Sequence, residues 1–374
     1  MRQMIEWILD WESVRDEANF SELLKERRER LGGCTSQERW MLNLQLGEVR
    51  SGREYLAREF ALPLSDELEA ISEVACACLD DLLGLADFGN EKGDPVRRRM
   101  IFEIVSLFDL ALALKRLEET DPFERVQKDL LAFIRFLSRK VFFGSEDIVV
   151  STDHDPSDHY HVRHVYTNRA PAEGFGNLVR RVHPLTCRLT RDGRRVLFHH
   201  RPKSNFRTLL KMAKQVQTRK DGRDPFKVHD RRGLKLVVAG YEDAIVLQGF
   251  ITEAIREDGG SIKSLESNLH GEKRLDVDNP HSDPRFRAMK LEVVWEKATF
   301  EVVIMVYPDY FSSELATDGT NHRLYRLAQF LGVYGPFLFP PFIYTSVDWG
   351  STSLRSLLEK FQVSQLGWRN GYHA

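Results

Sequence analysis

Cations flank a strand-to-helix junction in the segment HHRPKSNFRTLLKM (199–212). Arg201 and Lys203 follow a strand-like run, and Lys211 lies about two helical turns beyond Ser204. The start of a helix carries the positive end of its dipole, so cations placed there give an anion two sources of attraction. The pattern therefore predicts a site for phosphate or another anionic group.

Two carboxylates further along the chain are candidates for metal and proton chemistry. Asp230 begins a strand-like run, with Lys235 inside it, in FKVHDRRGLKLVVAG (226–240). A carboxylate at a strand end beside cations can hold Mg²⁺ near a polyphosphate, and a turn-capping role is the structural alternative. Glu301 lies within the apolar run TFEVVIMVY (299–307), where a glutamate is costly unless it is paired or metal-bound.

The order of these segments resembles the synthetase domain of the RelA/SpoT alarmone family over about residues 175–335. That family has R-x-K-S before a Lys-bearing helix, then Asp-x-x-Gly/Ala-x-Arg on a strand. An Asn-Pro loop ending in Tyr, a Glu-Val-Gln-Ile strand and a His-x-x-Tyr-Lys helix follow. The matching residues are Arg201, Lys203, Ser204, Lys211, Asp230, Gly233, Lys235, Asn279, Pro280, Phe286, Glu301, Val302, Val303, Ile304, His322, Tyr325 and Arg326.

The resemblance implies a nucleotidyltransferase-like mixed sheet that transfers pyrophosphate from ATP to the ribose 3′-hydroxyl of a guanine nucleotide. It implies catalytic and Mg²⁺-binding roles for Asp230 and Glu301. The ATP-binding residues would be Arg201, Lys203, Ser204, Lys211 and Lys235, and the acceptor-binding residues would be Phe286, Lys290, His322 and Tyr325. Phosphoryl-type transfer depends mainly on charge neutralisation and alignment, which cations and two acids supply.

The acceptor half departs from the family more than the donor half does. Lys290 stands where the family has His, and Met305-Val306 replaces its Arg-Thr. Alternatives therefore stay open: a toxin-like member that modifies the 3′ end of tRNA or adenine nucleotides, an inactive nucleotide sensor, or a nucleic-acid-binding structural protein. Retention of both acids argues against inactivity. As a structural residue, Glu301 would pair with Lys290 or Arg287.

Histidines and aspartates also crowd one short segment, which suggests metal binding as another possibility. The residues are Asp153, His154, Asp155, Asp158, His159, His161 and His164. Their spacing matches no closed zinc pattern, and the composition is typical of an exposed polar loop. The helical first half has no histidine, which argues against an HD-type phosphohydrolase.

The elements that position these residues follow from periodicity. Residues 1–143 predict about five helices, with start signals at Thr35-Ser36, Ser65, Asp94-Pro95 and Asp121-Pro122. Beyond a break near 145–170, strand-like runs (194–200, 234–240, 288–296, 299–307) alternate with helix-like stretches (205–219, 241–257, 322–333). The fold class is therefore α+β, with an N-terminal helical region and a mixed β-sheet domain flanked by helices.

These predicted elements divide the chain into three parts. Residues 1–145 would be a regulatory or interaction region, for a protein partner or self-association. Residues 146–345 would be the synthetase-like domain, and 346–374 a tail packed on it. Removal of 1–145 is expected to leave a soluble domain.

Composition excludes several other classes. The 374 residues are 42% hydrophobic, which excludes wholesale disorder, and no apolar run reaches the ~20 residues that cross a bilayer. Acids interrupt the N-terminus where a signal peptide needs an apolar stretch, so we expect a cytoplasmic protein. Residues 160–235 hold 20 Lys and Arg against 5 Asp and Glu, which suggests an anionic ligand such as a nucleotide or RNA.

Overall fold

The structure is a computed structural model of the chain. The described residues are 17–61, 78–85, 95–168, 176–217, 228–271 and 283–370. They form a mixed α/β structure with helices and an eight-stranded sheet. The predicted helix that starts at Ser65 and the Asn279-Pro280 loop lie outside the described residues.

The helices and strands have the following bounds. The helices are α1 (Glu17–Gly32), α2 (Ser36–Phe60), α3 (Leu79–Leu85), α4 (Pro95–Thr120), α5 (Phe123–Lys140), α6 (Asn205–Gln217), α7 (Tyr241–Glu257), α8 (Tyr307–Leu315), α9 (His322–Gln329), α10 (Gly335–Leu338) and α11 (Thr352–Asn370). The strands are β1 (Phe142–Asp155), β2 (His161–Thr167), β3 (Val179–Thr190), β4 (Arg195–Pro202), β5 (Arg232–Val238), β6 (Ser261–Ser267), β7 (Met289–Trp295) and β8 (Ala298–Val306).

The predicted helix starts are confirmed where the structure describes them. Before α2, the Thr35 hydroxyl accepts from the Glu38 amide (3.2 Å), and the Glu38 carboxylate accepts from the Thr35 amide (2.9 Å). This reciprocal capping box satisfies donors that a helix start otherwise leaves open. α4 begins at Pro95, and α5 begins directly after Asp121-Pro122.

The sheet has the strand order β2-β1-β3-β4-β5-β8-β7-β6. β5 and β8 run parallel, and every other neighbouring pair is antiparallel. The four predicted strands are found as β4, β5, β7 and β8. The prediction was wrong at 145–170, because β1 and β2 occupy much of what was read as a break, and it did not include β3 or β6.

The sheet is covered differently on its two faces. On one face Phe300, Val302 and Ile304 of β8 belong to a buried cluster that includes side chains of α5 and α7. On the other face Val303 and Met305 cluster with Tyr307 and Phe311 of α8. Because side chains alternate along a strand, Glu301 shares the second face, which we call the α8 face.

The chain groups into two compact units that interleave in sequence. One comprises 1–123, 204–228 and 329–358, and the other comprises 124–203, 229–328 and 359–374. The predicted boundary at 145 would separate α5 from the sheet, although Phe133 and Phe136 of α5 lie in the sheet's core. In the first unit, buried Arg53 and Glu103 form an ion pair of 2.6 Å.

The C-terminal part of the chain contains α11, which occupies most of the predicted tail. Within the described residues, the structure contains no helix with the length and apolar character needed to span a membrane.

Candidate functional site

Candidate residues align along a row that crosses four neighbouring strands on the α8 face. Arg201 of β4 pairs with Gly233 of β5, Gly233 pairs with Glu301 of β8, and Glu301 pairs with Glu292 of β7. Directly opposed residues project from the same face of a sheet. Gly233 contributes no side chain to the row between Arg201 and Glu301.

Glu301 has a like-charged neighbour where a structural role would need a counter-ion. The residue opposite it is Glu292, whose carboxylate pairs with Lys263 at 3.7 Å. Lys290 instead lies opposite Val303, one row further along. Among the described residues, no hydrogen bond or ion pair reaches the Glu301 side chain. Two adjacent carboxylates destabilise a sheet, so this placement favours a chemical role.

Asp230 and Lys203 are in direct contact. Asp230 lies in the 3₁₀ turn His229–Arg231 that leads into β5. The Lys203 amide donates to the Arg231 carbonyl at 3.1 Å, which holds the end of β4 against this turn. The Lys203 ammonium pairs with the Asp230 carboxylate. The structure therefore brings a predicted phosphate-binding cation and a predicted metal ligand together.

A second polar row lies next to the first on the α8 face. Lys235 pairs with His199 of β4 on one side and with Val303 of β8 on the other, and Val303 pairs with Lys290. The Lys235 residue is 9% exposed. Lys235 and Lys290, two cations that were predicted to bind substrate, therefore lie in one row. This row is next to the row that holds Glu301.

Half-buried His322, at the start of α9, marks where several cations converge. Burial lowers the pKa of His322 to about 3, and nearby Lys235, Arg201, Arg326 and Lys203 lower it further in that order. The imidazole is therefore neutral at physiological pH. The surrounding cations create a positive potential suited to a polyphosphate.

The remaining predicted site residues lie at several different places in the structure. The Tyr325 ring lies 5.9 Å from the His322 ring. Phe286 packs against the apolar cluster on the α8 face. Ser204 and Lys211 belong to the first unit. There the Ser204 hydroxyl accepts from the Arg207 amide at 3.3 Å, near the start of α6.

The histidine and aspartate segment forms strands, so its reading as a polar loop was wrong. Asp153 is buried and accepts from Arg180 of β3 at 2.8 Å. Buried His154 lies 2.7 Å from the Thr152 hydroxyl, and burial lowers the pKa of His154 to about 4. Over the described part of the chain, no three His, Cys, Asp or Glu side chains are grouped to hold a metal ion.

Acids outside the basic segment neutralise many of its cations. Arg195 pairs with Glu146 at 2.9 Å, and Arg232 pairs with Asp129 at 2.8 Å. Arg201 is exposed and has no hydrogen bond or ion pair to any described residue. The excess positive charge of residues 160–235 therefore does not by itself indicate where a ligand binds. The cations around His322 indicate a specific position.

Sequence reasoning missed three residues around Lys235. His199 precedes Arg201 by two positions and therefore shares its face of β4. Tyr310 and Glu314 of α8 both contact the Lys235 ammonium. The alternation along β4 could have identified His199. The spacing of Tyr310 and Glu314 places them on one side of a helix but does not reveal what they face.

Known proteins share little detectable similarity with this chain. No protein-family model matches the chain, and no curated protein is similar to it. One similar solved structure is the crystal structure of small alarmone synthetase 1 from Bacillus subtilis bound to its product pppGpp. The match has a TM-score of 0.22 at 9% identity and covers 47% of this chain and 78% of that chain. A TM-score this low carries no argument about the site.

Proposed function

We propose that this chain is a cytoplasmic nucleotide pyrophosphokinase that transfers pyrophosphate from ATP to the ribose 3′-hydroxyl of a guanine nucleotide. The observation that carries the proposal is the convergence of Arg201, Lys203 and Lys235 near neutral His322. Asp230 contacts Lys203, and Glu301 lies in the same row as Arg201. This combination matches the needs of phosphoryl-type transfer, in which charge neutralisation and alignment dominate.

The cations and the two acids would have different tasks. Arg201, Lys203 and Lys235 would bind the ATP phosphates, because guanidinium and ammonium groups form strong charge-assisted hydrogen bonds to phosphate oxygens. Glu301 would accept the proton of the attacking hydroxyl, since no described residue occupies its carboxylate.

The reaction balances without a further reactant. The ribose 3′-oxygen forms a bond to the β-phosphorus of ATP, and the bond from that phosphorus to the α,β-bridging oxygen breaks. AMP leaves with the bond's electron pair, and the hydroxyl proton passes to Glu301. The product carries the transferred pyrophosphate on its ribose.

Mg²⁺ would act at this site as an ion shared with the substrate, with Asp230 and Glu301 as its protein ligands. Over the described residues, no three His, Cys, Asp or Glu side chains are grouped to hold a metal ion without substrate. Mg²⁺ is commonly held by one or two carboxylates, with waters and substrate phosphates completing its shell. When bound, it would neutralise charge on the phosphates.

The acceptor would bind beyond Lys290. Phe286 comes four residues before Lys290 and lies against the α8 face cluster, where its ring could stack on a base. Lys290 would contact the acceptor phosphates in place of the family's His. Tyr325 and His322 would complete the acceptor side.

The test is incubation of the full chain with Mg²⁺, γ-labelled ATP and one acceptor at a time. The acceptors are GDP, GTP, ATP and tRNA, and the control is the Glu301→Gln variant. Label on GDP or GTP, together with release of AMP, supports the proposal. Label only on tRNA or on an adenine nucleotide contradicts the guanine acceptor. Nucleotide binding without transfer supports the sensor alternative and contradicts the enzyme.

A further inference from the structure

Lys235 is a buried cation in the middle of a sheet. It is 9% exposed, and its neighbours across the sheet are His199 and Val303. A buried ammonium is costly unless another group compensates its charge. Neither of these directly opposed neighbours carries a negative charge.

Helix α8 supplies both compensating groups. The Glu314 carboxylate lies 3.3 Å from the Lys235 ammonium, and that ammonium lies 5.1 Å from the centre of the Tyr310 ring. Tyr310 and Glu314 are four residues apart and therefore share one side of the helix. Tyr310 also stacks on His199, with ring centres 5.3 Å apart at 24°. The helix thus contacts both β4 and β5 at this row.

We propose that Tyr310 and Glu314 are positioning residues that hold the Lys235 ammonium in place and keep it protonated for binding a nucleotide polyphosphate. The proposal rests on the proposed function. Neither residue is assigned a contact with the substrate. Tyr310 fixes the direction of the lysine through a cation–π contact, and Glu314 supplies the acid that pairs with it.

The surrounding charges explain why an acid is needed. Burial lowers the pKa of Lys235, Glu314 opposes this effect, and nearby Arg201 adds to it. His199 and His322 also face this region, and the pKa of each is lowered by burial and by Lys235. Glu301 lies in the adjacent row on the same face, but among the described residues the acid paired with the Lys235 ammonium is Glu314. Without Glu314, Lys235 would lose its proton at a lower pH.

The first test measures the lysine directly. Proteins with ¹³C- and ¹⁵N-labelled lysine are titrated by NMR, and the Lys235 signal is assigned by its loss in Lys235→Arg. We expect Glu314→Gln to lower the Lys235 pKa and Glu314→Asp to restore most of the difference. Glu253→Gln is the matched control, because Glu253 pairs with Arg191 on an exposed surface at 2.8 Å. An unchanged Lys235 pKa in Glu314→Gln would overturn the proposal.

The second test measures nucleotide binding against pH, with a non-hydrolysable ATP analogue as the probe. In Glu314→Gln we expect affinity close to wild type near pH 7 and about tenfold weaker binding at pH 9, since deprotonation removes a phosphate contact. Tyr310→Phe should bind as wild type does, because it keeps the ring, whereas Tyr310→Leu should weaken binding at every pH. A uniform loss in Glu314→Gln at all pH values, with a lowered Tm, would mean a merely structural role.

The two tests separate this inference from the proposed function. If the wild-type chain binds no nucleotide, the proposed function fails, but the NMR titration still reports whether Glu314 keeps Lys235 protonated. If nucleotide binds and neither the lysine titration nor the pH profile changes, the positioning role fails while the proposed function stands.

Discussion

At the scale of single residues, Glu301 separates a chemical role from a structural one. Glu301→Gln removes a charge beside Glu292, so the protein should be as stable as wild type or slightly more so. Loss of the proton acceptor should slow transfer by ~10²-fold or more. Tm and transfer rate are measured on the same sample, with Glu292→Gln as the neighbouring control. A destabilised but active Glu301→Gln protein would contradict the catalytic role.

Replacing Asp230 should change ATP binding and pyrophosphate transfer in opposite directions. Asp230→Asn releases Lys203 from its carboxylate, so ATP should bind more tightly than in wild type when Mg²⁺ is absent. With Mg²⁺ present, transfer should be abolished because a metal ligand is lost. Calorimetric titration with and without Mg²⁺ checks both signs. Full Mg²⁺-dependent activity in this variant would exclude Asp230 as a metal ligand.

His322 provides a pH-dependent test of the cation cluster. Its folded-state pKa of about 3 is below the ordinary value, so its contribution to stability is present above about pH 6.5 and is lost as pH falls toward 3. Tripolyphosphate should raise the His322 pKa by neutralising the surrounding cations. NMR titration of the imidazole measures this change. An unchanged pKa at saturating tripolyphosphate would mean that the anion binds elsewhere.

At the scale of helices and strands, residue pattern predicts some elements and not others. β8 was predictable because Val302 and Ile304 make one face clearly apolar, and the same alternation placed Glu301 on the other face. β6 gives no such signal, since it is an edge strand with mostly exposed side chains. In β1, buried Asp153 accepts from Arg180 of β3, a partner distant in sequence that a local pattern cannot reveal. Buried His154 instead contacts nearby Thr152 and the Tyr160 carbonyl.

The same limit applies to the candidate site. Local motifs and the family resemblance indicated the residues that the strands and their turns position, such as Arg201 and Asp230. They did not indicate Glu314, because its role depends on how α8 packs on the sheet. They also suggested a cationic partner for Glu301, whereas the strand register places Glu292 there. Residue type and spacing identify candidate site residues, and the strand register determines which of those residues lie next to one another.

Two glycines on α2 make a matched pair for testing helix packing within the first unit. A Cβ at Gly52 would clash with the Phe206 ring, whereas nothing lies within 4 Å of a Cβ at Gly47. Gly52→Ala should therefore destabilise the protein by ~1–3 kcal/mol through overpacking against α6. Gly47→Ala should stabilise it by ~0.5–1 kcal/mol, because alanine favours helix. Urea unfolding measures both, and equal effects would contradict this contact.

At the scale of the whole molecule, the interleaved units determine how the chain can be shortened. A fragment of residues 146–374 lacks α5, so the sheet loses Phe133, Phe136 and their buried neighbours from its core. Large-to-small losses of this kind cost several kcal/mol per side chain, and removing the whole helix multiplies the loss. We therefore expect this fragment to aggregate, contrary to the expectation from sequence.

A fragment of residues 124–374 also tests whether the sheet needs α5, because this fragment restores α5 and completes the sheet's core. It should show a cooperative thermal transition, whereas residues 146–374 should not. It still contains residues 204–228 and 329–358 without the rest of their unit. Apolar side chains such as Phe206, Leu209 and Leu210 would then be exposed and should bind a hydrophobic dye strongly. Cooperative unfolding of residues 146–374 would show instead that α5 is dispensable and that the unit containing the sheet begins after it.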